Sequence, residues 1–75
     1  MRYIIFEDFA GELTPIIFPE RISFNEMREQ IPYTKVLSAG TVQLDNGLIK
    51  CFSHPNELGL SSFDNDRDVI FRHLS

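Results

Sequence analysis

The chain is predicted to fold as one small α+β domain spanning residues 1–75. About four strands form a mainly antiparallel sheet, and two short helices complete the order β-β-α-β-β-α. Three observations carry this prediction. "YIIF" and "PIIF" are β-branched and aromatic runs separated by a glycine-bearing turn. Ser23 and Glu26 have the spacing of a capping box, which marks a helix start. Asn46-Gly47 lies between alternating apolar residues, the strongest short-range signal of a hairpin.

"RYIIFED" reads as strand one, "FAGEL" as a turn and "TPIIFPE" as strand two. Pro15 has no N–H to donate, so strand two is either an edge strand or begins late, at Ile16, and Pro19 ends it. In "RISFNEMREQIP" the Ser23 side chain can accept from the Glu26 N–H, while Glu26 reaches back to the Ser23 N–H. Ile22 and Met27 occupy the positions of a hydrophobic staple, and Pro32 stops the helix at or before Ile31. Phe24, Met27 and Ile31 share one face. A helix this short needs the sheet to hold it.

In "KVLSAGTVQLDNGLIKCFS", a two-residue type I′ turn at Asn46-Gly47 pairs Asp45 with Leu48, Leu44 with Ile49, Gln43 with Lys50 and Val42 with Cys51. One face then carries Val42, Leu44, Ile49 and Cys51, and the other Thr41, Gln43, Asp45, Leu48, Lys50 and Phe52. Gly40 marks either a bulge or a place where another backbone or a helix comes close.

"FDNDRD" places Asp64, Asp66 and Asp68 at alternate positions. A calcium loop of the EF-hand type counted from Asp64 needs glycine and glutamate where Val69 and Ser75 stand, so that spacing fails. "VIFRHLS" reads instead as a short amphipathic helix. Asp64 is expected to be its N-cap, Asp66 and Asp68 lie in its first turn, and Arg72 and His73 lie near its end, in accord with the helix dipole. No metal site and no cofactor are expected.

Composition excludes several function classes. Eleven acidic residues face seven basic ones, none of the basic residues adjacent, so nucleic-acid binding is not expected. The N-terminal apolar run, Tyr3 to Phe6, is interrupted by Glu7 and Asp8, and neither a signal peptide nor a membrane span is expected. Cys51 is the sole cysteine, which points to a cytoplasmic protein rather than a disulfide scaffold. Cys51-x-x-His54 offers half a zinc site or, as a thiol with a nearby base, a nucleophile; a buried structural thiol is the plainer reading. Glu7 and Asp8 point to opposite sides of a strand, and the serines lie in no nucleophile-elbow context.

The segments "VLSAGTVQL" and "ELGLSS", the hairpin between them, the acidic helix start and the "IIFPE" strand together resemble a group of small proteins encoded by phages and prophages. The resemblance implies an accessory protein of the bacterial cytoplasm, and it implies no activity, cofactor or catalytic residue.

Strands one and two are apolar on both faces, so both faces need cover. Either the two helices take opposite faces, or another chain buries one of them. The second alternative makes Tyr3, Ile5, Ile17 and Phe18 the candidate protein-contact residues. The expected function is a small protein-interaction or accessory module without catalytic activity. The alternatives are a homodimeric structural or regulatory protein, and an enzyme or ligand-binding domain using the Cys51/His54 region.

Overall fold

A computed structural model describes residues 1–31, 34–54, 56 and 58–74. Its elements are β1 (Arg2–Glu7), β2 (Leu13–Phe18), α1 (Phe24–Glu29), β3 (Lys35–Asp45), β4 (Leu48–Phe52) and α2 (Asp66–Leu74). The strands form one antiparallel sheet in the order β2-β1-β3-β4. The fold is therefore α+β with the expected element order. β1 is central because its side chains are apolar on both sides; Tyr3, Ile4, Ile5 and Phe6 are all buried.

The β1–β2 hairpin pairs Tyr3 with Ile17 and Ile5 with Pro15. β2 is an edge strand running from Leu13, so Pro15 sits within it rather than before it. An edge tolerates this residue because one side of the strand has no ladder to complete. The β3–β4 register is the one the Asn46-Gly47 turn dictates, from Asp45 opposite Leu48 to Thr41 opposite Phe52. Asn46 and Gly47 both have positive φ, at 49° and 79°.

Gly40 marks a close approach. A Cβ there would collide with the Phe52 carbonyl oxygen and press on Tyr3 Cε1 at 3.3 Å. The irregularity of β3 lies elsewhere, between the Ile5–Ser38 and Phe6–Val36 pairs, where Leu37 is the extra residue.

Two cores form, one on each side of the sheet. On one side α2 brings Val69 and Ile70 against Tyr3, Ile5 and Val42, with Ile17, Ile49 and Cys51 packed around them. On the other, Phe24 of α1 packs on Ile4, Phe6, Phe18 and Ala39. The α1 layer is widened by Leu58 and Leu60 from the loop before α2. Asn56 shapes that loop: its side-chain amide donates to His54 O and Leu60 O, and its side-chain oxygen accepts from Leu58 N and Leu60 N.

α1 has both halves of its capping box, Glu26 N to Ser23 Oγ at 3.1 Å and Ser23 N to Glu26 Oε1 at 3.3 Å. Arg28 gathers the chain after the helix by donating to Ile31 O and Thr34 O. Pro32, expected to stop this helix, lies outside the described residues; the helix has already ended at Glu29. Arg2 ties the helix entry to β1, donating to Ile22 O at 2.9 Å with its guanidinium 5.0 Å from the Phe24 ring centroid.

Candidate functional site

The acidic segment has a role that its spacing alone did not reveal. α2 begins at Asp66, and Asn65 O accepts the first helical bond, from Val69 N at 3.2 Å. The N-cap position is thus Asn65, and the expectation that Asp64 caps the helix is corrected: Asp64 is exposed, one residue too early. Asp66 turns inward instead and is 2% exposed. Its carboxylate accepts from Tyr3 Oη at 2.5 Å, Ser38 Oγ at 3.0 Å and Phe63 N at 3.0 Å. Tyr3 has one proton and gives it to Asp66, so Ser62 Oγ is the donor in the 2.6 Å contact between the two hydroxyls. Burial, and the proton's place against the Asp66 carboxylate, push the Tyr3 phenol well above its ordinary range.

Every polar atom of this cluster has a partner. The cluster pins the start of α2 to β1 and β3. The signal was present in the sequence, since Asp66 precedes Val69 and Ile70 by three and four residues and so shares their helix face.

The structure does not assemble a Cys51–His54 pair. Cys51 packs with the α2-side core. The His54 ring lies 6.0 Å from the ring of Phe24, on the α1 side. The sheet separates them. Burial and the nearby Asp66 carboxylate push the Cys51 thiol up, opposite to what a nucleophile needs. Among the described residues, no group of three or more His, Cys, Asp or Glu side chains is placed to hold a metal ion. Pro55, next to His54, lies outside the described residues.

The four candidate contact residues are interior rather than superficial. Tyr3, Ile5 and Phe18 are buried, and Ile17 is half-buried against the α2-side core. Within this chain their cover comes from α2, α1 and the loop that carries Leu58 and Leu60.

Among the described residues, five exposed apolar side chains lie around β4, the second edge of the sheet, while Phe9 and Leu13 are exposed at the β1–β2 turn and the first edge. On the α2 side, Leu44, Gly47, Ile49, Phe71 and Leu74 line a shallow groove of about 280 Å³, which Leu48 borders from the strand edge at the hairpin tip. On the opposite face of the same strand, Leu48 and Phe52 are 62% and 48% exposed. An apolar surface flanking both sides of one strand edge is unlike the scattered exposure of an ordinary surface. Leu44 and Ile49 are expected to share a face with Val42 and Cys51. They do share a face, but α2 covers it only partly at the hairpin tip, leaving Leu44 57% exposed.

No protein-family model, curated protein or solved structure matches the chain. Among the described residues, no helix is long and apolar enough to cross a membrane.

Proposed function

We propose that this protein is a small non-catalytic interaction module whose contact surface is the β4 edge with its apolar flanks. One observation carries the reading: Leu44, Leu48, Phe52, Phe71 and Leu74 are all about half exposed or more, and they surround a single strand edge. Exposed apolar area of this kind is typical of protein-binding surfaces. The fully partnered Asp66 cluster and the separated Cys51 and His54 favour a structural use of the polar groups. A lone free cysteine suits a reducing compartment, and we place the protein in the cytoplasm. The likeness of "VLSAGTVQL" and "ELGLSS" to phage and prophage accessory proteins favours the same kind of role.

The test is site-specific photo-crosslinking in cells producing the full chain. A photoreactive residue at Leu48 is expected to give protein adducts. One at Ala10, exposed in the β1–β2 turn at the other edge and the opposite end of the sheet from the β3–β4 turn, is expected to give none. Absence of adducts from Leu48, or equal labelling from both positions, rejects the reading.

A further inference from the structure

We propose that the partner at this surface is a second copy of the chain, joined β4 to β4 in antiparallel register centred on Lys50. The inference rests on the interaction reading above and names its partner.

The first support is hydrogen-bonding parity. A two-residue hairpin makes the pair next to the turn, Asp45 and Leu48, a hydrogen-bonded pair, and bonded pairs then recur at every second position. Val42 fits this phase: its N–H donates to Met1 O at 2.8 Å and its C=O accepts from the Met1 amino group, both on the β1 side. Its partner Cys51 therefore directs its N–H and C=O off the sheet, and so does Ile49. Among the described residues no backbone bond reaches these groups. Two copies centred on Lys50 would set Ile49 opposite Cys51 twice, satisfying both residues in each copy by about four new ladder bonds.

The second support is the sequence of β4 itself. Leu48-Ile49-Lys50-Cys51-Phe52 has the same apolar pattern read in either direction. In the proposed register each Leu48 faces Phe52 of the second copy, and each Ile49 faces Cys51. That pattern makes the edge complementary to itself, which a two-fold axis requires.

Area is the third support. Strand addition at an edge covers both faces of the strand at once, and the exposed side chains lie on both: Leu48 and Phe52 on one, Leu44, Phe71 and Leu74 on the other. Together they offer on the order of 1,000 Å² across two copies before the backbone edge is counted, near the lower bound for a specific interface. The other edge is unsuited to the same use, because Pro15 interrupts its row of donors.

Lys50 opposes the association and provides the test of register. At the two-fold axis it meets Lys50 of the second copy, and like charges directly opposite weaken a strand pair. Such a dimer is weak and strengthens with salt.

Sedimentation equilibrium of the purified full chain is expected to show a monomer–dimer equilibrium. Lys50→Thr, at an exposed position where folding is preserved, is expected to tighten it by up to about fivefold. An equimolar mixture of wild type and Lys50→Glu is expected to favour the mixed dimer over both parents in native mass spectrometry. A chain that stays monomeric at high concentration, with Lys50→Thr also monomeric, overturns the proposal. So does a dimer indifferent to Lys50, or a statistical mixture. If the purified chain is monomeric while Leu48 crosslinks to other proteins, self-pairing fails and the interaction reading stands; if Leu48 gives no adduct, both fail.

Discussion

At the scale of single residues, Asp66 is the group on which the α2 side depends. Its carboxylate satisfies two side-chain hydroxyls and one backbone N–H. Asp66→Ala would strand the Tyr3 and Ser38 hydroxyls in the interior, and is expected to cost about 2–4 kcal/mol. Asp64→Ala, two residues away and exposed, is expected to change stability by less than about 0.5 kcal/mol. Urea unfolding of the two variants measures the difference directly; equal losses would contradict the placement of Asp66. Tyr3 adds a dependence on pH. Its phenol holds its proton more tightly in the folded chain than in the unfolded one. As pH rises through about 10, the unfolded chain releases this proton first. The folded state is then the one binding more protons, so stability falls with rising pH. The thiol of Cys51 is raised too and acts with the same sign above its ordinary value of 9.0. Tyr3→Phe is expected to flatten the alkaline arm of a stability-against-pH curve while lowering stability at neutral pH. An unchanged alkaline slope would remove Tyr3 as its source.

At the scale of elements, the β3–β4 hairpin is governed by its two turn residues. Gly47 has φ of 79°, where a β-branched side chain is strained although the space around it is open. Gly47→Val is expected to lower stability by at least about 1–2 kcal/mol, read as a shift in denaturation midpoint. A wild-type midpoint would mean that the turn adopts another geometry in solution. The α1 helix is of a different kind. It has six residues and could not persist alone; its capping box fixes where it begins, and Phe24 fixes which face it buries.

At the scale of the whole molecule, β1 belongs to both cores. Tyr3 and Ile5 point to α2, while Ile4 and Phe6 point to α1. Loss of either layer therefore exposes one face of the same central strand. Phe24→Ala is expected to cost about 3–5 kcal/mol and Ile70→Ala about 2–5 kcal/mol. Those values approach the total stability of a domain this small. Either variant is expected to unfold the sheet and both helices together, with coincident loss of far-ultraviolet dichroism and of dispersed methyl signals. Retention of one layer after loss of the other would show that the two cores are separable.

What depends on near neighbours along the chain was legible before any tertiary contact was known. The hairpin register follows from Asn46-Gly47 and the alternation on both sides of it, and the start of α1 follows from Ser23 and Glu26; both are local geometry. The need to cover β1 on both faces was implied by its apolar residues, although the pattern left open what would cover them and where in the sheet the strand lies. Tertiary structure decided the rest. The helix face that Asp66 shares with Val69 and Ile70 was legible, but its partners Tyr3 and Ser38 are 63 and 28 residues distant, so no local spacing could name them. The separation of Cys51 from His54 depends on which core each side chain joins. The α1-side core is completed by Leu58 and Leu60, which return to the sheet from the loop before α2, and the exposure of the β4 flanks reflects how far α2 reaches toward the hairpin tip. These are outcomes of packing between distant segments, where the free energy resides in contacts that no short window of sequence contains.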